Sequence, residues 1–136
     1  MSADDNRALV RAAFDAWAAG QGDFYRLLAD DVTWTITGSS PVAGTYTSRQ
    51  EFLDGAIQPI FKRLSQPIQP IVHTLIAEGD QVVALWEGHA TALDGVPYDN
   101  VYCWVMRVQD GKVTHATAFF DSPPLTELLE RVQPAS

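Results

Sequence analysis

Over residues 4–19 the apolar side chains fall at Leu9, Val10, Ala13, Phe14, Trp17 and Ala18, the spacing of one face of a helix, with Asp4 and Asp5 at its N-terminal end. The Gly20-Gln21-Gly22 segment ends it. A short second helix over 23–29 presents Phe24, Leu27 and Leu28, and the strand 32–36 then alternates apolar and polar so that Trp34 points inward. Residues 38–44 read as a loop. Ser48-Arg49-Gln50-Glu51 has the form of a capping box and starts a third helix through Phe52, Ala56, Ile60 and Phe61. Pro59 removes a hydrogen bond to Gly55 and should kink or shorten that helix. Pro67 and Pro70 open a strand that continues over 71–77 to a turn at Glu78-Gly79-Asp80. A last short helix from Pro123 carries Leu125, Leu128 and Leu129 on its apolar side.

The densest signal lies between. Runs over 81–93, 97–108 and 112–121 are rich in Val, Trp, Tyr, Phe and Thr and are separated by Asp94-Gly95 and Asp110-Gly111, strong hairpin signals. A two-residue type I′ turn at Asp94-Gly95 would set His89 opposite Asn100, Glu87 opposite Tyr102 and Leu85 opposite Trp104, all on one face. A three-residue loop at Asp110-Gly111 would continue that face with Ala116, Ala118 and Phe120, pairing Tyr102 with Ala118 and Asn100 with Phe120. A two-residue turn there would instead present Thr117 and Phe119, because a one-residue slip exchanges the faces.

Helices followed by a meander of strands give an α+β fold, with N-terminal helices on one side of a mostly antiparallel sheet. The other face, with Trp86, Val101, Cys103, Val105, Val113, Thr117 and Phe119, is too apolar to be left in water, and this predicts a homodimer. A chain of 136 residues, 46% hydrophobic, makes one domain, 1–136, with a real core. No stretch approaches a membrane span, and the acidic start MSADDNR lacks a signal peptide's basic and apolar regions, which predicts a soluble, cytoplasmic protein. A net charge of −8 argues against nucleic acid as a partner. The single cysteine, Cys103, excludes an internal disulfide and reads as a buried, inert thiol. No set of His, Cys, Asp and Glu has metal-ligand spacing, and no Gly-rich phosphate loop is present.

Four segments carry a resemblance: LLADDVTW, the Pro41-Val42-Ala43-Gly44 segment before a capped helix, DGVPYDNVYCWVMRV and DGKVTHATAFFD. Together they resemble the SnoaL-like branch of the nuclear transport factor 2-like superfamily over nearly the whole chain. The resemblance implies a cone, a cystatin-like roll in which a strongly curved sheet and the N-terminal helices enclose an internal apolar pocket, often in a dimer. That fold hosts ketosteroid isomerases, limonene-epoxide hydrolases, polyketide cyclases, dehydratases and non-catalytic binding domains. At the positions matching the epoxide-hydrolase residues stand Trp34, Ile36, Leu85, Glu87 and Ala118, so only a carboxylate at Glu87 is kept. At the ketosteroid-isomerase positions stand Thr35, Ile36 and Thr37 for the base, and Trp104 for the oxyanion-hole Asp.

Chemistry therefore centres on Glu87, a carboxylate within VVALWEGHATAL, where burial would raise its pKa toward that of a general acid or base. His89 lies about 7 Å along the strand and can share a ligand with it. Tyr102 and Asn100 supply donors for a carbonyl or enolate oxygen. Phe14, Trp17, Trp34, Phe61, Leu85, Trp104, Ala118 and Phe120 are the expected walls of a substrate pocket for a hydrophobic small molecule. Asp121 reads as a cap for the last helix and His73 as a core or interface histidine, while Arg107 and His115 should face away from the pocket. The leading expectation is a cofactor-independent acid–base enzyme of isomerase, cyclase or hydratase/hydrolase type acting on a small carbonyl or polyketide-like metabolite. Its rivals are a non-catalytic small-molecule-binding protein and a purely structural dimerisation module.

Overall fold

The structure, a computed structural model, describes residues 2–136. Helix α1 (Ala3–Ala18) opens with a capping box in which Ser2 Oγ accepts from the Asp5 N–H at 3.1 Å and the Asp5 carboxylate accepts from the Ser2 N–H at 3.2 Å. A short 3₁₀ turn (Phe24–Leu27) follows, then β1 (Leu28–Ile36) and β2 (Gly44–Tyr46). The next helical stretch has three parts: α2 (Arg49–Phe52), a π turn (Leu53–Ile57) and α3 (Gln58–Phe61). Strands β3 (Leu64–Glu78), β4 (Gln81–Ala92), β5 (Pro97–Gln109) and β6 (Lys112–Phe120) make the meander, and α4 (Ser122–Arg131) closes the chain. The sheet order is β2-β1-β6-β5-β4-β3, all antiparallel except the β1–β6 pair. The expected α+β cone is the observed architecture, with helices on the inner face of an open, six-stranded mixed sheet.

Two elements depart from expectation for local reasons. The end of the expected loop forms β2, because Gly44, Thr45 and Tyr46 pair with Ile36, Thr35 and Trp34. Pro59 does disturb its helix, and the disturbance takes the form of a wide turn, the Gln58 N–H donating five residues back to the Leu53 carbonyl.

The first hairpin has a loop one residue longer than expected, and the second takes the two-residue alternative at its turn. At Asp94-Gly95 the loop has three residues, closed by Ala92 N–H to the Val96 carbonyl at 2.9 Å and Gly95 N–H to the Ala92 carbonyl at 2.9 Å, with Gly95 at φ 84°. This pairs Trp86 with Tyr102, Glu87 with Val101, Gly88 with Asn100 and His89 with Asp99, one residue away from the expected register. At Asp110-Gly111 both residues have positive φ, 52° and 78°, and Gln109 pairs with Lys112, a two-residue turn. A bulge beyond Val108 and Val113 then adds one more residue to β6, giving Trp104 opposite Ala118 and Tyr102 opposite Phe120. The turn and the bulge each shift the strand by one, so their effects on facing cancel and Ala116, Ala118 and Phe120 stay inside.

Trp86 is 2% exposed and Val113 fully buried, so neither belongs to the outer face on which they were expected. Cys103 sits on that outer face and is half-buried rather than buried. Inside, the aromatic rings form one connected cluster. Trp104 meets Trp34 edge-on at 4.9 Å and Trp86 at 4.8 Å, and Phe14 lies 5.3 Å from Trp86 and 5.7 Å from Trp104. Ser40 Oγ is buried in the loop after β1 without a hydrogen-bond partner. Replacing it removes an uncompensated polar group, so Ser40→Ala is expected to raise unfolding free energy by about 1 kcal/mol in a urea melt.

Candidate functional site

A cavity of about 50 Å³ lies between the inner face of the sheet and the helical stretch from α2 to α3. The sheet contributes Trp34, Ile36, Trp86, Tyr98, Tyr102, Trp104, Ala118 and Phe120; the helices contribute Phe52, Ile57, Ile60, Phe61 and Leu125; Tyr25 projects from the 3₁₀ turn. Phe61 and Ile68 also line an outer cleft of about 420 Å³ beside Trp17, Leu64 and Pro67, so these two side chains form the wall between cleft and cavity. Gly88 keeps the floor open. A Cβ on it would stand 2.9 Å from Ile68 Cγ2, 3.1 Å from Trp86 Cζ3 and 3.3 Å from Tyr102 Cε2. Gly88→Ala is therefore expected to lower stability by about 1–2 kcal/mol and to displace the Trp86–Tyr102 pair, a change that thermal melting and near-ultraviolet circular dichroism would read.

The polar groups of the cavity are donors. Tyr98 Oη and Tyr102 Oη lie 3.2 Å apart, and either can donate to the other. Asn100, 5% exposed, donates from Nδ2 to Tyr98 Oη at 3.1 Å and to the Asp121 carbonyl at 2.9 Å. Its Oδ1 accepts from the Val101 N–H at 2.8 Å and the Asp121 N–H at 3.1 Å, which fixes the amide's orientation. The Trp86 indole N–H is buried with no partner, and its ring stacks on Tyr102 at 4.1 Å. Burial pushes the phenols of Tyr25, Tyr98 and Tyr102 upward, so all three stay protonated around neutral pH.

The expected catalytic set is split by the corrected register. Asn100 and Tyr102 face inward, with Tyr102 on the cavity wall and Asn100 behind it; Glu87 and His89 lie on the outer face of the sheet. There His89 Nε2 bonds Glu87 Oε1 at 2.8 Å, His89 Nδ1 bonds Asp99 Oδ1 at 2.7 Å, and His73 Nε2 bonds Glu87 Oε2 at 2.9 Å. Hydrogen bonds from His89 and then His73 hold the Glu87 carboxyl below its ordinary pKa, the reverse of the shift expected from burial. Glu87 and then Asp99 hold His89 above the ordinary imidazole value. His89 thus stabilises the fold at low pH and loses that contribution as pH rises through its raised pKa; Glu87 stabilises it above the carboxylate range and loses its contribution as pH falls through its lowered one. Their joint contribution is greatest at weakly acidic pH.

Of the expected walls, Trp34, Phe61, Trp104, Ala118 and Phe120 line the cavity. Phe14 and Trp17 belong to the core behind it, and Leu85 is 39% exposed on the outer face. His73 is on that outer face as well, with its side chain 57% exposed, so it is not a core residue. Arg107 and His115 face away from the cavity. Asp121 occupies the N-cap position of α4, yet its side chain makes no cap bond; its backbone is what is held, by Asn100. Tyr98 lines the cavity beyond the expected set, and its place on the alternating positions of Asn100, Tyr102 and Trp104 is its sequence signal. Tyr25 has no comparable sequence signal. Among the described residues no cluster of His, Cys, Asp and Glu is arranged to hold a metal, and no helix is long and apolar enough to cross a membrane.

This architecture recurs among solved structures. An NTF2-like protein from Burkholderia thailandensis matches with a TM-score of 0.72 at 22% identity, over 95% of this chain and 98% of that one. Bal32a, from a soil-derived mobile gene cassette, matches with 0.75 at 19% identity, over 93% and 98%. TerC, co-crystallised with polyporic acid, matches with 0.71 at 22% identity, over 92% and 98%. At these identities the likeness establishes the fold. No curated protein matches the chain. The model of the SnoaL-like domain matches residues 10–116, most of the sequence and all of the sheet up to the middle of β6. The chain is a member of the SnoaL-like domain family, in the nuclear transport factor 2-like superfamily.

Proposed function

We propose that this domain binds a small, largely apolar molecule carrying a neutral acceptor oxygen, such as a cyclic ketone, in the aromatic cavity. The observation that carries this reading is the polarity of the lining: three phenols and three indoles among apolar side chains, with no carboxylate, imidazole or amine on the wall. Protonated phenols donate well to a carbonyl, whereas a buried anion would lack a counter-charge there. With an acceptor beside Tyr102, the hydrogen bonds run one way, from the Asn100 amide to Tyr98, from Tyr98 to Tyr102, and from Tyr102 to the ligand. Each bond polarises the next.

The fold carries isomerases, cyclases and hydroxylases. A proton-transfer reaction needs a base within hydrogen-bond reach of its substrate, and Glu87 and His89 stand on the opposite face of the sheet from the cavity. The geometry therefore favours binding over acid–base turnover by these residues.

Size sets a second condition. A cavity of about 50 Å³ is well below the roughly 150 Å³ that holds a single aromatic ring. Entry of a ring then requires Phe61 and Ile68 to part and join the cavity to the outer cleft. The π turn and Pro59 that precede Phe61 weaken the helix at that wall. Titration of tryptophan fluorescence with 1-tetralone and with tetralin, its hydrocarbon counterpart, tests the reading. The ketone should bind several-fold to about tenfold more tightly, the value of one net hydrogen bond. Equal binding of the two, or none up to their solubility, would contradict it.

A further inference from the structure

Phe61, one half of the wall between cavity and cleft, ends a helical turn that cannot hold itself in place. α3 has only four residues, and Pro59 within it has no N–H to give. What fixes its end is the pair of residues that follows. The Lys62 carbonyl accepts from the Ala135 N–H at 2.7 Å, and the Arg63 carbonyl accepts from the Leu93 N–H at 2.9 Å. The Arg63 side chain donates from Nη1 to the Pro59 carbonyl at 2.7 Å and from Nε to the Val132 carbonyl at 2.8 Å. The segment that follows α4 thus reaches back and ties the end of α3 at two points, through Val132 and through Ala135.

That segment is itself anchored. Leu128 and Val132 are buried, and Arg131 bonds the Asp94 carboxylate at 2.6 Å, in the same turn that supplies the Leu93 N–H. Pro134 stands between the two tie points and restricts the backbone there, so the ties hold or let go together. The other half of the wall is different in kind. Ile68 belongs to β3, which β4 holds along its length, so Phe61 is the half that is free to move.

We infer that residues 131–135 form a latch on the cavity, with Arg63 as its catch: the end of α3 swings away from Ile68 only when these bonds let go. The inference rests on the reading of the cavity as the binding site. Arg63 suits the task because a guanidinium offers several donors in one rigid plane, here one for the turn's own carbonyl and one for the segment that straps it. The bonds exist whenever the wall is closed, with the cavity empty or filled. Their loss therefore raises the fraction of open molecules without favouring either closed form. A ligand then enters and leaves faster by the same factor, and its affinity stays where it was.

Arg63→Met keeps the unbranched stem and loses both donors; Ala135→Pro, at an exposed position, removes the N–H given to Lys62. Both variants are first shown to be folded by circular dichroism. In stopped-flow fluorescence with 1-tetralone, Arg63→Met should raise the association and dissociation rates about tenfold each and leave Kd within about twofold of wild type. A second readout needs no ligand. All four tryptophans, Trp17, Trp34, Trp86 and Trp104, are buried, so quenching of their fluorescence by acrylamide measures opening, and it should be several-fold faster in both variants. Quenching and binding rates equal to wild type in both would overturn the latch. So would a Kd that rises with an unchanged association rate, since the bonds would then hold the ligand and not the wall. If 1-tetralone does not bind the wild type, the reading of the cavity fails, and acrylamide quenching alone decides the latch.

Discussion

Asn100→Leu is expected to lower the stability of the fold by about 3 kcal/mol, seen as a fall in melting temperature of about 10 °C. Leucine keeps the branching and the number of side-chain heavy atoms, so most of the cost is polar. The amide of Asn100 stands where the β5–β6 ladder ends: β6 stops at Phe120, α4 starts at Ser122, and the side chain bonds both the N–H and the carbonyl of Asp121 between them. It acts as one more rung. Its removal leaves the Asp121 and Val101 N–H groups, the Asp121 carbonyl and Tyr98 Oη short of a partner. Each such group costs about 1–3 kcal/mol where it is buried and less where water reaches it, as it does at exposed Asp121. A melting temperature within about 2 °C of wild type would show that these bonds add nothing to stability.

Tyr102→Phe should weaken 1-tetralone binding about tenfold and leave tetralin binding unchanged. The ring is kept, and with it the 4.1 Å stacking on Trp86, so the shape of the cavity is preserved. What is lost is the hydroxyl that ends the line of donors from Asn100 through Tyr98. The stability cost is small, about 1 kcal/mol, because the hydroxyl's one protein partner is Tyr98 Oη at 3.2 Å. Burial holds the phenol's pKa above its ordinary value, so the protonated donor persists and binding should be flat between about pH 5 and pH 9. Glu87→Gln, on the far face, should leave both affinities unchanged. Calorimetric or fluorescence titrations of the variants with the same two compounds read all of these effects.

The face of β4 was legible in its alternation and was lost in its turn. Val82, Ala84, Trp86, Gly88, Ala90 and Ala92 form an uninterrupted apolar and small set, while Glu87, His89 and Thr91 fall on the other side, which is the observed arrangement. Reading Asp94-Gly95 as a two-residue turn overrode that pattern by one position. The loop length depends on groups distant in sequence: Arg131 bonds the Asp94 carboxylate at 2.6 Å and the Arg63 carbonyl accepts from the Leu93 N–H at 2.9 Å. No local rule contains those contacts. In the second hairpin the two-residue alternative formed, yet the bulge in β6 restored the facing expected of the three-residue loop, so Ala118 and Phe120 still point inward. The first and last helices, the α+β class and about half of the aromatic wall followed from spacing alone. Tyr25 and the wall between cavity and cleft did not, since they depend on how a 3₁₀ turn and an interrupted helix settle against the sheet.

The most direct test of where this protein meets its ligand is the ¹³C spectrum of 1-tetralone labelled at its carbonyl, bound to the wild type, to Tyr102→Phe and to Glu87→Gln. Donation to the oxygen shifts the carbonyl signal downfield. That shift should appear with the wild type and with Glu87→Gln, and should be lost with Tyr102→Phe. A bound ketone with no shift in the wild type, or a shift abolished by Glu87→Gln, would place the ligand elsewhere and contradict the assignment of the cavity.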